Sequence, residues 1–159
     1  RKFMFRKMRL ESNKTTKEEA EAILHEAKNG VLAVDGDAGY PYAVPLSFAY
    51  EEGKIYFHST SENSHKIESL RKNPKVSFCV ITQDHILPEA FNTLYRSVIL
   101  FGTARILTDD KEIEQGIMTI VKKYSGEYFE EGKAYMNAEW GNFCVVEIDI
   151  EYMTGKAGS

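Results

Sequence analysis

Cysteine is scarce in this chain, and its few histidines have no metal-binding spacing. The two cysteines, Cys79 and Cys144, each lie inside an apolar run, without a C-x-x-C pair or a nearby histidine. We therefore expect two small buried side chains, no disulfide framework and no metal site. Unpaired thiols are typical of a reducing compartment, so we expect a cytoplasmic protein.

Long hydrophobic runs are missing as well. The longest apolar stretches are far shorter than a bilayer span, and none of them follows the basic first residues as in a secretory signal. We therefore expect no role in a membrane. The apolar fraction of 43% is typical of globular proteins, and the length predicts one domain over residues 1–159.

Positive charge is largely confined to the start of the chain. The first nine residues contain five positive charges and no acidic residue, so the remainder carries −9 in a chain whose net charge is −4. An acidic body argues against a nucleic-acid partner. The basic arm, residues 1–12, either touches an anion or a partner subunit or, as is more common, is solvated.

The sequence also lacks the local signatures of common catalytic sites. It contains no glycine pattern of the Walker or Rossmann type, and no recognisable Ser/His/Asp or Cys/His arrangement. His25 and His85 have no companions, and both are expected on the surface. A chain without a catalytic set suits an enzyme whose cofactor performs the electron chemistry while the protein binds and shapes it.

What is present is an alternation of amphipathic helices and short strands. Capping-box spacing at residues 15–19 predicts a first helix, Ile67 and Leu70 mark a second at residues 64–72, and Asp109 or Asp110 begins a third. Six strands are predicted, at residues 31–34, 40–50, 54–59, 75–83, 96–107 and 143–153.

The connections between these elements indicate the fold. Pro41 and Pro45 cannot donate to a β-ladder, so the strand at residues 40–50 is predicted at a sheet edge. Gly102 predicts a bulge or bend, and residues 84–94 and 125–132 are predicted as loops. Short connections favour a mainly β fold with flanking helices (α+β), in which an antiparallel sheet curls into a small barrel.

One stretch, residues 55–66, runs from a strand through a polar loop into the start of a helix. Such a junction offers backbone N–H groups and the partial positive charge of a helix N-terminus, which suits a phosphate group. The side chains that supply hydroxyl groups or charge there are Ser59, Thr60, Ser61, Ser64 and Lys66. The alternative is that the serines only cap the helix and Lys66 is solvated.

Two histidines lie in the same stretch. His58 alternates onto the same strand face as Tyr56, so it is the candidate for a hydrogen bond to a cofactor or substrate, or for proton transfer. A purely structural histidine is the alternative. His65 lies in the first helical turn, where it either donates to an anion or remains at the surface.

The proline-containing strand is the second candidate for ligand contact. Because prolines leave one side of the strand without ladder donors, the residues around Pro45 are predicted to border a ligand. An irregular edge strand is the alternative. The residues concerned are Val44, Pro45, Leu46 and Ser47.

Seven segments of the chain, in the same order, resemble the 5-nitroimidazole-resistance proteins, which belong to the pyridoxamine 5′-phosphate oxidase-like FMN-binding split barrels. These segments are MFRKMR (4–9), GYPYAVPLS (39–47), IYFHS (55–59), HKI (65–67), NPKVSF (73–78), YRSVILFG (95–102) and MTGK (153–156). The resemblance covers nearly the whole chain.

This resemblance implies a six-stranded antiparallel split β-barrel that forms a homodimer, with flavin at the dimer interface. The isoalloxazine ring would be lined by Val44, Pro45, Leu46 and Ser47, with Phe57, His58 and Ser59 under the ring and ribityl chain. His65 and Lys66 would hold the phosphate. Arg96, Ser97 and Val98 would close the pocket.

The family is associated with reduction of nitroimidazole drugs to amines by a two-electron route, and His58 would lie on the substrate side as the catalytic residue. We therefore predict a flavin-dependent oxidoreductase that uses NAD(P)H to reduce a nitroaromatic or similar electrophile. The chain has Ser64 where the family has glycine, in a longer loop, so FAD remains an alternative to FMN. A non-catalytic flavin module and a haem-binding split barrel with His58 as ligand are the alternative functions.

Overall fold

The computed structural model describes residues 5–60 and 62–158. Ser61 of the predicted phosphate loop, and Arg1, Lys2 and Met4 of the predicted arm, lie outside the described residues. The strands are β1 (Gly30–Asp35), β2 (Pro41–Leu46), β3 (Ala49–Glu51), β4 (Lys54–Ser59), β5 (Lys75–Leu87), β6 (Asn92–Ile106) and β7 (Cys144–Gly158). The α-helices are α1 (Lys17–Glu26), α2 (His65–Lys72), α3 (Asp110–Ser125) and α4 (Phe129–Ala138).

In the described ranges the strands form one antiparallel sheet of seven, in the order β2-β1-β5-β6-β7-β4-β3. Its two edge strands, β2 and β3, are consecutive in the chain and are separated only by Ser47 and Phe48. The sheet must therefore curl until its edges approach each other, although no ladder joins them. The mainly β fold with flanking helices is confirmed, whereas the prediction of a six-stranded barrel is wrong in its strand count, since the sheet has seven strands and is not closed.

The extra strand arises from a break in the predicted strand at residues 40–50. At the break, the N–H group of Phe48 donates to the hydroxyl of Tyr124, at 3.0 Å, and its carbonyl oxygen lies 2.6 Å from the same hydroxyl. Both backbone groups of Phe48 are therefore engaged by a side chain of α3 instead of a neighbouring strand. The predicted edge position of the proline-containing strand is confirmed, since β2 ends the sheet.

The curled sheet encloses the main core together with α1 and α2. Thr16 caps α1 in a complete capping box with Glu19, as predicted, and Ile23 and Leu24 are fully buried. Helix α2 likewise buries Ile67 and Leu70. These two helices match the predictions because each has a clear apolar stripe.

A second, smaller core lies between α3 and the outer side of the sheet. It contains Tyr56 of β4, Val145 of β7, and Ile117 and Ile120 of α3. The predicted apolar face of α3 is thus confirmed. The predicted loop at residues 125–132 is wrong, because α4 begins at Phe129. Helix α4 buries no residue, and its sequence therefore lacks the apolar stripe by which a helix is predicted.

The predicted loop at residues 84–94 is also wrong. Strands β5 and β6 continue as a hairpin from the pair Asp84 and Tyr95 to the pair Leu87 and Asn92, where a short 3-10 turn closes it. The longer β6 also gives β7 a partner as far as Gly158, beyond the predicted end of the last strand. A register shift beside Gly102 confirms the predicted bulge.

The outer face of the sheet is apolar, and the N-terminal arm lies across part of it. Phe5 stacks on Phe101 and Tyr152, with ring centroids 5.4 and 4.9 Å away. The arm is therefore not simply solvated, although Arg6 and Lys7 are exposed. Within residues 5–60 and 62–158, every helix is too short or too polar to cross a bilayer.

Candidate functional site

The candidate site lies where β4 leads into α2. Strand alternation turns Ile55 and Phe57 into the main core, where both are fully buried, and leaves His58 exposed on the opposite face. Phe57 can therefore contribute to a ligand only through its backbone. Ser59 is buried, and its strand partner is Cys144 at the start of β7.

His58 is held as a neutral imidazole by its surroundings. Partial burial lowers the pKa of His58, and the positive charge of nearby Lys66 lowers it further. At neutral pH such a ring offers one nitrogen as a donor and the other as an acceptor. The structure thus brings His58 and Lys66, both predicted site residues, to the same corner.

The first turn of α2 has polar groups without partners. Ser64 is the N-cap residue but makes no capping hydrogen bond, and its buried Oγ has no hydrogen-bond partner. The first N–H groups of any helix also lack intrahelical partners. In α1, by contrast, the Thr16 Oγ1 accepts from the N–H of Glu19 at 3.1 Å. The start of α2 therefore fits the phosphate of a nucleotide, because it combines a helix N-terminus, a hydroxyl group without a partner and Lys66.

His65 is turned toward β2. Its ring stacks on Tyr42 with centroids 3.9 Å apart, and its buried Nε2, which has no hydrogen-bond partner, lies 3.6 Å from an oxygen of Asp37. The carboxylate of Asp37 is a second acceptor that would compete with a phosphate for this nitrogen. His65 therefore ties α2 to β2, as well as bordering the candidate phosphate position.

The predicted ligand-contacting residues of the proline-containing segment are the last three residues of β2 and the residue that follows them. Val44 and Leu46 pack partly against the main core, whereas Pro45 and Ser47 are exposed. Beyond Leu46, the backbone of Phe48 is engaged by Tyr124, so the β3–β4 ladder ends at the pair of Ala49 and Tyr56. In β2, Tyr42 stacks on His65, so this strand borders the start of α2. Contact of Val44, Pro45, Leu46 and Ser47 with a ligand stays a prediction.

The third group of predicted cofactor-binding residues, Arg96, Ser97 and Val98, lies far from His58. Arg96, Ser97 and Val98 pair with Ala157, Lys156 and Gly155 of β7, whereas His58 pairs with Val145. These partners are ten to twelve residues from Val145 along β7, which corresponds to about 33–40 Å of extended strand. Arg96 is 3.7 Å from Glu26 of α1, and Val98 is buried in the main core. One chain therefore does not bring these residues to His58.

Several residues at this corner were not predicted. The guanidinium of Arg71 donates to the carbonyl oxygen of Glu62 at 2.7 Å and fixes the loop between β4 and α2. Tyr42 and Asp37 both engage His65. Of these two residues, only Tyr42 had a signal in the sequence, because it alternates with Val44 and therefore lies on the same face of the predicted strand. Two cavities, of about 700 and 610 Å³, lie beside α1 and α3, and no predicted cofactor residue lines either of them.

The metal-binding residue types are dispersed. Across residues 5–60 and 62–158, no three histidine, cysteine, aspartate or glutamate side chains converge as a metal site would require. Both cysteines are free thiols, and burial raises the pKa of each. His25 and His85 are exposed, as predicted.

Solved structures share this fold at low sequence identity. The hypothetical protein Rv2991 from Mycobacterium tuberculosis superposes with a TM-score of 0.80 at 22% identity, over 96% of this chain and 90% of that one. A candidate 5-nitroimidazole antibiotic resistance protein from Bacteroides thetaiotaomicron gives 0.72 at 24% identity, over 89% and 83%. An FAD- and haem-binding protein from Mycobacterium smegmatis gives 0.79 at 19% identity, over 92% and 74%.

Family membership rests on the sequence match. A search among curated proteins finds no significant relative. The family model for pyridoxamine 5′-phosphate oxidase, however, matches residues 16–157, which is most of the chain. The chain therefore belongs to the pyridoxamine 5′-phosphate oxidase family.

Proposed function

We propose that the protein is a flavin-dependent oxidoreductase that reduces nitroaromatic compounds such as 5-nitroimidazoles with electrons from NAD(P)H. The observation that carries this proposal is the corner between β4 and α2. There the unpartnered Ser64 Oγ and the first N–H groups of α2 lie with Lys66, whose charge acts on His58, and His65 stacks on Tyr42 of β2. The fold neighbour from Bacteroides thetaiotaomicron supports the nitroaromatic class of acceptor.

The residues at this corner divide into two tasks. Lys66, the Ser64 hydroxyl and the helix N-terminus would bind the phosphate of FMN, which is a dianion at neutral pH. Pro45 and Ser47 would border the ring, and the bound flavin would supply the redox chemistry. His58, held neutral, would orient the acceptor by a hydrogen bond and supply or accept a proton.

A second copy of the chain is part of the proposal. Arg96, Ser97 and Val98 lie on β6 far from His58, so they can close a flavin pocket only if a partner supplies them, and Val98, buried in its own core, could contribute only its backbone. The outer sheet face exposes Val31, Ile81 and Ile99, with Ile81 61% exposed. An apolar patch of this kind is typical of a protein interface. In the proposed dimer, two copies pair through this apolar face, and Arg96 and Ser97 of one copy complete the site beside His58 of the other.

Purification and titration test the cofactor. We expect a yellow protein that elutes as a dimer with two flavins bound, and that prefers FMN to FAD. Consumption of NAD(P)H should then depend on an added nitroaromatic compound. A colourless protein that takes up neither flavin from solution would contradict the proposal. The two free cysteines suit the cytoplasmic location that we propose with it.

Substitution of His58 tests the catalytic role. His58→Ala should retain FMN but reduce nitro compounds more slowly, because the positioned imidazole is lost. His85→Ala changes an exposed histidine on the β5–β6 hairpin and is the matched control. Equal turnover in the two variants would remove His58 from the reaction.

A haem-binding protein is the second candidate function. The fold neighbour from Mycobacterium smegmatis binds FAD and haem, and His58 is exposed and neutral, as an axial ligand must be. A Soret band in the purified protein, lost in His58→Ala, would favour this function. Flavin bound without NAD(P)H oxidation would instead indicate a non-catalytic redox module.

A further inference from the structure

Ser47 and Phe48 form the link that connects β2 and β3, the two edge strands of the sheet. The side chain of Phe48 is fully buried and packs edge to face against Phe78 of β5, with ring centroids 4.9 Å apart. The backbone N–H and carbonyl groups of Phe48 both contact the hydroxyl of Tyr124 on α3. The conformation of the link is therefore held by a helix that lies outside the sheet.

The hydroxyl of Tyr124 uses its full hydrogen-bonding capacity at this link. A phenol hydroxyl has one proton to donate and two lone pairs that accept. It accepts from the N–H of Phe48 at 3.0 Å and from the hydroxyl of Ser47. Its proton goes to the carbonyl oxygen of Phe48, at 2.6 Å, or to that of Lys28, at 2.5 Å. Burial raises the pKa of Tyr124, so the hydroxyl remains a donor at neutral pH.

Lys123, the preceding residue of α3, fixes the same end of this helix. Its ammonium group lies 4.0 Å from the ring centroid of Phe48 and donates to the carbonyl oxygens of Leu24 and Ala27, at the C-terminus of α1. A cation is favoured there by the partial negative charge of the helix end and by the face of the aromatic ring. The end of α3 that presents Tyr124 is thus anchored to α1 as well as to the link.

We infer that Tyr124 is a positioning residue for the candidate site, because it fixes Ser47 and with it the end of β2 that is proposed to border the flavin ring. This inference rests on the proposed function and adds to it a residue from outside the site. Backbone groups that have no ladder partner take their position from the side chains that bond them. Hydrogen bonds around a flavin ring tune its electronic properties, so a shift of Ser47 would be registered by the cofactor. Tyr124 acts through Ser47 and is not a catalytic residue.

Hydrogen exchange on the flavin-free protein tests the contact itself. Tyr124→Phe keeps the ring but removes the hydroxyl, so the amide proton of Phe48 should exchange about three- to tenfold faster. Tyr128→Phe, which removes a more exposed hydroxyl just after α3, is the matched control. Equal exchange rates at Phe48 in the two variants would overturn the inference.

Spectra of the FMN-loaded protein test the role at the site. Tyr124→Phe should change the visible absorption and circular dichroism of the flavin, because Ser47 moves relative to the ring, while FMN affinity, which depends chiefly on the phosphate contacts, changes little. Ser47→Ala should produce a similar change, and the double variant should show no more than either single one, because the two residues act as a unit.

Two results would overturn the inference and leave the flavoprotein intact. The first is a flavin spectrum that Tyr124→Phe leaves as unchanged as Tyr128→Phe does, since Tyr124 would then be a structural residue only. The second is a full addition of the two changes in the double variant, since Tyr124 would then not act through Ser47. A protein that takes up no flavin would instead remove the proposed function and, with it, the role inferred for Tyr124.

Discussion

Two groups of polar side chains are shielded from water, and they differ in whether the chain supplies their partners. Glu147, buried on β7, accepts from Arg105 at 3.0 Å and from the Tyr56 hydroxyl at 3.3 Å. Burial, and then the negative charge of Glu147, raises the pKa of Tyr56 to about 12. At the start of α2, the Ser64 Oγ and the His65 Nε2 are buried without a hydrogen-bond partner. Because an unpaired buried polar group costs free energy, the complete network indicates a structural role, whereas the unpartnered groups at the start of α2 are available to a ligand.

Removing Glu147, the acceptor at the centre of the complete network, should cause the largest loss in the free energy of unfolding. Glu147→Ala leaves the Tyr56 hydroxyl and one side of Arg105 without their acceptor. We expect the free energy of unfolding to fall by about 1–3 kcal/mol, because the buried Tyr56 hydroxyl loses its acceptor, whereas Arg105 is half-exposed and keeps Glu112. Urea denaturation measures this, with Asp149→Ala, an exposed partner of Lys54, as the nearly neutral control. A loss as small as that of the control would mean that the network is not structural.

Removing the charge of Lys66 at the start of α2 should lower the affinity for FMN and leave the stability of the fold nearly unchanged. Lys66→Ala should weaken FMN affinity by about 1.5–3 kcal/mol, because a charged phosphate contact is lost, while unfolding in the absence of flavin changes little. Lys72→Ala, at the opposite end of α2, is the control. Isothermal titration or fluorescence titration with FMN gives both affinities. Equal values would exclude Lys66 from the phosphate site.

The two helix N-caps give a finer comparison. Thr16→Ala removes a formed cap from α1 and should lower the free energy of unfolding by about 0.5–2 kcal/mol. Ser64→Ala removes an oxygen that caps nothing, so the flavin-free protein should lose less than about 0.5 kcal/mol. FMN affinity should nevertheless fall in Ser64→Ala and not in Thr16→Ala. Equal destabilisation of the flavin-free protein by both changes would show that Ser64 acts as an ordinary cap.

The smallest expected effect is the change in the pKa of His58 when the charge of Lys66 is removed. Lys66→Met should raise the pKa of His58 toward its ordinary value of about 6.5, because the cationic neighbour is removed while partial burial remains. A lowered pKa in the folded state means that the unfolded chain binds the proton first, so His58 reduces stability as the pH falls through 6.5. NMR titration of the imidazole measures the pKa, with Lys72→Met as control. An unchanged pKa would separate Lys66 from His58.

Local patterns predicted most of the fold. The apolar stripes of α1, α2 and α3, the capping box at Thr16, the edge position of the proline-containing strand and the bulge at Gly102 all depend on residues close in sequence. The failures occurred where such a pattern is absent. Helix α4 buries no residue, and the β5–β6 hairpin carries polar residues and Pro88, so both looked like loops.

The candidate site was predicted in part for the same reason. His58, Ser64 and Lys66 lie within one short stretch, and their proximity follows from a strand that runs directly into a helix. The role of Tyr42 against His65 could not be read from that stretch, because the two residues are brought together by the curl of the sheet. The same holds for the distance of Arg96, Ser97 and Val98 from His58, which is set by strand pairing.

The sequence by itself determined which segments become strands and helices, and which polar groups accumulate between β4 and α2, because periodicity and capping act over a few residues. Tertiary structure alone decided that β2 and β3 separate at Phe48, since the partner of Phe48 is a tyrosine 76 positions away. It also decided that the Glu147 network is complete while the start of α2 is not. Partners for buried polar groups come from distant parts of the chain, and no local pattern specifies them.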